Sequence, residues 1–324
     1  MSATDVWLAI PEAEIDGLPG NLTYHFWDGG PDASGPDAAP DYPADPANCA
    51  FYVVPYMKPA PARTGPLPLM KHLDVVQTLT AGVDDMLPHL ASLPPGVRLC
   101  NARGVHETST AELALTLILA SLRGIPGFVR DQDAGRWPTG VFRPALADRT
   151  VLIVGYGAIG SAVEDRLVPF EVAPVLRVAR SARTTTRGPV HQLSDLPDLL
   201  PRADVVVLTT PLDDSTRGLV DADFLARMKD GALLVNVARG GVVDTAALLG
   251  ELESGRITAA LDVTDPEPLP PGHPLWSAPG ALVSPHVGGP STAFAPRARR
   301  LLADQLTRWA EGRPLRNVVA TAGR

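Results

Sequence analysis

The sequence predicts an α/β protein built from two parallel-sheet domains. Three observations carry that prediction. Short apolar runs bounded by turn residues recur along the whole chain. Helix-compatible stretches separate most of them in the second half, the alternation that a doubly wound parallel sheet requires. One run, residues 150–154, leads straight into Gly155-Tyr156-Gly157-Ala158-Ile159-Gly160. A length of 324 residues fits two domains.

Taken in order, residues 6–10, 21–26, 49–54 and 75–79 read as short buried strands. The last runs into Thr80-Ala81-Gly82-Val83-Asp84, a turn at a strand's C-terminal end, where ligands sit in open α/β sheets. Residues 28–47 carry five aspartates and no basic residue among prolines, glycines and alanines, which predicts an exposed acidic loop without regular structure. Residues 98–104 are expected to cross between domains. Ser109 and Glu112 have capping-box spacing ahead of a helix over 110–123. The apolar run 113–122 is much shorter than the roughly 20 residues of a membrane span and predicts a buried helix.

The glycine run is the strongest local signal. Gly155 permits the tight turn, Gly157 lets a pyrophosphate approach the backbone, and Gly160 lets the next helix sit close to the strand. That helix, expected over 161–167, offers free N–H groups and a partial positive charge to phosphate. Further strands are expected at 175–179, 204–209, 233–237, 258–263 and 282–284, the first one residue longer than usual with Pro174 inside it. A helix over 245–253 should end at Gly255, and a last helix spans about 291–311.

An NAD-binding strand usually ends in an acid about 20 residues after the glycines, where it bonds the ribose 2′-OH. Here the strand ends Val178-Ala179-Arg180-Ser181-Ala182-Arg183, with no carboxylate. Arg180 and Arg183, with Ser181 as a neutral donor, suit a 2′-phosphate, so NADP is expected as the preferred cofactor and NAD as a possible one.

Composition excludes several classes. The net charge is −8 with no basic stripe, which disfavours nucleic acid. Cys49 and Cys100 make no disulfide framework and fit a reducing cytosol. The first residues lack a secretory pattern, so a cytoplasmic protein without a membrane partner is expected. No His/Cys cluster has metal-ligand spacing, and no Cys/His or G-x-S-x-G arrangement marks a nucleophile.

Three other segments follow strands and carry chemistry: Val235-Asn236-Val237-Ala238-Arg239-Gly240-Gly241-Val242-Val243-Asp244, Leu261-Asp262-Val263-Thr264-Asp265-Pro266-Glu267-Pro268-Leu269, and Val283-Ser284-Pro285-His286-Val287-Gly288-Gly289. With the glycine fingerprint they stand in the order N-x-x-R-G-x-x-V-D, D-V-x-x-x-E-P-L and P-H-x-x-G. This set resembles the D-isomer-specific 2-hydroxyacid dehydrogenase family over nearly the full length. Departures are few: the helix entry reads Thr110-Ala111-Glu112 where Val-Ala-Glu is commoner.

The resemblance implies two Rossmann-like/flavodoxin-like domains, residues 1–102 plus 294–324 for substrate and 103–293 for the dinucleotide, with the active site in the interdomain cleft. It implies that Arg239 holds the 2-oxo acid, that His286 is the acid/base and that Glu267 orients it. These roles suit the side chains: a guanidinium binds two oxygens at once, and a histidine titrates near neutrality. It places Thr110, Thr210, Pro211, Ala238 and Asp262 with the fingerprint residues at the cofactor. Ala81, Gly82, Val83 and Tyr56 fall at the substrate, with Met57 beside them and core packing an equal role for Tyr56 and Met57. Asp262 is also open to a capping or salt-bridge role. Arg130 with Gly135-Arg136-Trp137 resembles the segment that reaches across a dimer, so a homodimer through Trp137 and the 113–122 helix is implied. The expected activity is reversible reduction of a small 2-oxo acid such as glyoxylate or hydroxypyruvate to the D-2-hydroxy acid. Glu267 stands where the formate-oxidising branch has Gln, which argues against formate. Phosphite oxidation and a dinucleotide-sensing, corepressor-like role are the alternatives.

Overall fold

The computed structural model describes residues 4–30 and 41–323, which divide into two compact units, 4–106 with 292–323 and 107–291. The units part at 106/107 and 291/292 rather than at 102/103 and 293/294, because the predicted crossing, 98–104, opens as a strand of the first unit.

The first unit begins β1 (Asp5–Leu8), β2 (Thr23–Phe26), β3 (Cys49–Val53), α1 (Ala60–Thr64), β4 (Val75–Gln77) and β5 (Arg98–Cys100). The second holds α2 (Glu107–Arg123), α3 (Ile125–Asp133), β6 (Val151–Val154), α4 (Ala158–Leu167), β7 (Val175–Ala179), β8 (Arg183–Thr185), β9 (Gly188–Gln192), α5 (Leu196–Leu199), β10 (Val205–Leu208), α6 (Ala222–Arg227), β11 (Leu233–Asn236), α7 (Thr245–Glu253), β12 (Thr258–Leu261) and β13 (Ala281–Val283). The chain then returns to the first unit as α8 (Phe294–Ala310) and β14 (Val318–Thr321).

The first sheet runs β14-β5-β4-β3-β1-β2, parallel except for β14. Setting β14 aside, its order is 2-1-3-4-5, the flavodoxin-like arrangement. The second runs β13-β12-β11-β10-β6-β7-β9-β8, parallel except for the β8–β9 hairpin. Around β6 it has the Rossmann order, which reverses between β6 and β10. The central strands of both sheets are buried on two faces, which explains the uninterrupted Val/Leu/Ile runs in β6, β10 and β11. Each side chain of β6 is fully buried, contributing about 1.5–3 kcal/mol by transfer from water.

Several expectations are corrected. The α2 helix starts at Glu107, so Ser109 lies inside it; its hydroxyl donates to the Gly289 carbonyl at 3.4 Å instead of closing a capping box. Pro174 lies outside β7, since it has no N–H for a ladder; Ala179 is the strand's last residue and Arg180 the first beyond it. The middle of the acidic stretch, 31–40, lies outside the described residues, and its downstream flank contains a 3₁₀ turn, Pro46–Asn48, capped by Asp45. Among the described residues no single helix is long and apolar enough to cross a membrane. Run 113–122 lies in α2, whose Ala111, Ala114, Leu117 and Ile118 are buried against the second sheet.

Candidate active site

In the second unit the fingerprint turn behaves as its glycines require. A Cβ on Gly155, whose φ is +104°, would fall 2.4 Å from the Thr210 nitrogen. One on Gly160 would fall 2.8 Å from the Gly155 carbonyl oxygen. Thr209 and Thr210, after β10, are thus packed against the turn, while Pro211, the next residue, is exposed. A Cβ on Gly157 would meet only the Gly155 oxygen, at 3.9 Å, so the turn is open on the side a pyrophosphate needs. Ala158 and Ile159 start α4, and their N–H groups precede the first intrahelical donor, Ser161. These residues fit a dinucleotide.

Tyr156 is a correction. Its side chain is buried, and its hydroxyl binds Glu164 of α4, which is also paired with Arg177 of β7 (Nε to Oε2, 2.9 Å). Only the Tyr156 backbone belongs to the phosphate turn. Arg183 donates to the Tyr156 carbonyl at 2.5 Å, which ties the β8–β9 hairpin to the fingerprint. Ser181 is exposed between the two arginines, and Arg180 donates to Asp213 at 2.5 Å.

Arg239, Glu267 and His286 converge at the C-terminal ends of β11, β12 and β13. Asn236 opens the N-x-x-R-G motif, and the sequence alone gives it no role. The structure buries it at the end of β11, where its amide donates to the Arg239 carbonyl (3.0 Å) and its oxygen accepts from the Ala238 N–H (3.0 Å). That clamp shapes the turn presenting Arg239, whose Nη1 also donates to the Ala238 carbonyl at 2.8 Å. Ala238 is buried beneath it.

His286 has φ +53°, a left-handed conformation that a non-glycine residue adopts only when held. Asp262 does the holding. It is buried and accepts from the Ser284 hydroxyl (2.6 Å) and the N–H groups of Val287 (2.9 Å) and Gly288 (2.8 Å), while its carbonyl accepts from the His286 N–H (2.8 Å). The carboxylate therefore serves the His286 loop, neither a cap nor a salt bridge. Thr110, buried in α2, donates to the Gly288 carbonyl at 3.1 Å and backs the same loop.

His286 Nδ1 lies 2.5 Å from Glu267 Oε1, and the two side chains remain 45% and 39% exposed, accessible to a ligand. The Glu267 hydrogen bond and charge raise the His286 pKa against the opposing effects of burial and Arg239. Burial alone would raise Glu267, but the His286 contact outweighs it, and with the Thr264 backbone and Arg239 holds the carboxyl below its usual range. Arg239 is close enough to act on both partners. Nδ1 is committed to Glu267, so Nε2 is the atom left to exchange a proton.

In the first unit, loop 80–84 follows β4 as expected. Asn101 donates to the Ala81 carbonyl (2.8 Å), Thr80 donates to the Gly82 carbonyl (2.7 Å), and Val83 packs partly into the core. A buried amide pair with no local signal in the sequence, Gln77 and Gln305, supports the loop's base at 2.8 Å. Tyr56 stacks on Phe294 with centroids 4.2 Å apart, and its hydroxyl is pushed up to about 12 by burial; Met57 beside it is exposed.

Comparison with known proteins agrees with this architecture. The model of the D-isomer specific 2-hydroxyacid dehydrogenase NAD-binding domain matches residues 115–288. The mouse glyoxylate reductase/hydroxypyruvate reductase is 37% identical over 226 residues, covering 67% of this chain and 68% of its own length. A D-isomer specific 2-hydroxyacid dehydrogenase from Xanthobacter autotrophicus Py2, solved with NADPH and MES, has a TM-score of 0.80 at 30% identity, covering 99% of this chain and 98% of that one. An NADPH-dependent glyoxylate/hydroxypyruvate reductase from Sinorhizobium meliloti, solved with NADP and malonate, has a TM-score of 0.76 at 26% identity, covering 99% and 97%. The chain belongs to the D-isomer-specific 2-hydroxyacid dehydrogenase family. It is an oxidoreductase of that family, with a Rossmann NAD-binding domain.

Proposed function

We propose that this protein reduces a small 2-oxo acid of the glyoxylate or hydroxypyruvate class to the D-2-hydroxy acid, with NADPH preferred and NADH accepted. The observation that carries the reading is the 2.5 Å His286–Glu267 contact beside Arg239, on the same sheet edge as an open dinucleotide turn. The names of the mouse and Sinorhizobium relatives support the substrate class, and the structures holding NADPH or NADP support the cofactor.

The backbone of 155–160 and the start of α4 would hold the pyrophosphate, and Arg180 the ribose phosphate. The bound nicotinamide supplies the hydride. Arg239 binds the substrate carboxylate and polarises the neighbouring carbonyl. His286 Nε2 gives its proton to the carbonyl oxygen in reduction and takes it back in oxidation, and Glu267 keeps the ring charged and oriented. Loop 80–84 and Tyr56 remain the first unit's proposed substrate-binding elements, because they follow C-terminal strand ends.

The sign of the pH dependence follows. Reduction needs the imidazolium, so the rate holds at low pH and falls as pH rises through the raised His286 pKa. Glu267→Gln removes the charge that raises it, so the falling limb should move to lower pH, with kcat near neutrality down about tenfold or more. Initial-rate pH profiles of the two proteins test this; superimposable profiles would contradict Glu267's role.

We also propose a homodimer, formed through the segment after α3. Trp137 is 90% exposed and Phe142 fully exposed, and large apolar side chains this open commonly mark a partner surface. Light scattering should give twice the 34.1 kDa chain mass, and a monomer would refute it. The free, buried Cys49 and Cys100 support a reducing cytosol, and the −8 charge argues against nucleic-acid or membrane-surface partners.

A further inference from the structure

One ion pair spans the fingerprint strand. Arg180 is the first residue after β7, and Asp213 lies in the loop after β10; these strands flank β6 on opposite sides. Their contact, Arg180 Nη2 to Asp213 Oδ2 at 2.5 Å, therefore crosses the switch point of the sheet, above the turn that receives the dinucleotide. The partners differ in freedom. Asp213 is built into its own turn: Oδ1 accepts from the Ser215 N–H (2.9 Å), the Ser215 hydroxyl (2.6 Å) and the Thr216 hydroxyl (3.3 Å). The Ser215 hydroxyl, with the Arg180 charge, also holds its carboxyl below the usual range, so it is ionised at neutral pH. The Arg180 side chain is 74% exposed and can move. Arg183, the other candidate for a 2′-phosphate, already donates to the Tyr156 carbonyl.

We propose that Asp213 sets cofactor selectivity: its fixed carboxylate competes with the ribose 2′-phosphate for Arg180 and moderates the preference for NADP(H) over NAD(H). This rests on the NADP(H) reading above. A 2′-phosphate carries about −1.5 to −2 charge near neutrality. On the same guanidinium it sits beside Asp213, and two anions so placed repel at a partly solvated surface. A 2′-hydroxyl carries no charge and escapes that cost. The pair is thus a counterweight that keeps both cofactors usable.

Asp213→Asn keeps an acceptor for Ser215 and Thr216 and removes only the charge. Calorimetry on the full chain, with 2′,5′-ADP and 5′-AMP as probes, reads the effect. Asp213→Asn should bind 2′,5′-ADP about three- to tenfold more tightly and 5′-AMP within about twofold of the unaltered protein, the range of one partly exposed charge interaction. The gain should vanish in an Arg180→Gln background and shrink at high salt. Unchanged or weaker 2′,5′-ADP binding by Asp213→Asn, while Arg180→Gln still weakens it, overturns the role of Asp213 and leaves the NADP(H) reading standing. If 2′,5′-ADP binds no better than 5′-AMP and Arg180→Gln changes neither, both readings fall.

Discussion

His286→Ala should lower kcat for 2-oxo acid reduction by about two to four orders of magnitude while KM stays within a few-fold. The imidazole is the proton source, and Nε2 is its only ring nitrogen not committed to Glu267. The Asp262 carboxylate accepts from three donors in holding the backbone. Arg239→Ala should behave differently, raising KM and lowering kcat together, because the guanidinium binds the ground-state carboxylate and also stabilises charge that grows on the carbonyl oxygen. Steady-state kinetics of the two variants separate the roles. Near-wild-type kcat in His286→Ala, or an Arg239→Ala defect confined to KM, would contradict the assignment.

Gly240→Ala should damage fold and site together. A Cβ there would fall 1.9 Å from the Thr264 carbonyl oxygen and 2.1 Å from its carbon, both backbone atoms with no rotamer to escape by. Either the turn that presents Arg239 or the loop that carries Glu267 must shift. We expect a loss of about 2–4 kcal/mol, a melting temperature lower by several degrees, and a large fall in kcat. Gly250→Ala, inside α7 with nothing within 4 Å of the added carbon, is the control and should hold or raise the melting temperature. A Gly240→Ala protein with wild-type melting and wild-type kcat would show that the close approach of these two loops does not matter.

Local signals in the sequence were legible wherever one physical cause dominated. Strand β7 and helix α7 have the predicted bounds, Val175–Ala179 and Thr245–Glu253, because an apolar run or an Asp244 cap defines each without outside help. Gly255 ends its helix at φ +71°, the left-handed conformation expected of that position. What stayed hidden was non-local. Strand β5 is three residues long and reads as a linker until β4 and β14 pair with it on either side. The β8–β9 hairpin is mostly polar and carries little apolar alternation.

The same division holds in the site. Motif order pointed to Arg239, Glu267 and His286, since each sits in a short segment with its own spacing. The groups that aim them were illegible because their partners lie far along the chain. Asp262 looks like any loop acid until the backbone of residues 284–288 folds over it, and Gly240 looks permissive until Thr264 passes within contact distance. Tyr156 sat at the expected turn, but only the buried Glu164–Arg177 pair decides that its ring points into the domain.

Arg239, Glu267 and His286, fed by a dinucleotide on the open turn, are proposed to reduce small 2-oxo acids. The most direct test follows the loss of reduced-nicotinamide absorbance with purified protein, NADPH or NADH, and glyoxylate, hydroxypyruvate, pyruvate or bulkier 2-oxo acids. Rapid oxidation of NADPH with glyoxylate or hydroxypyruvate, and a lower kcat/KM with NADH, is the predicted result. No turnover with any pair, in protein that binds NADPH, would contradict it.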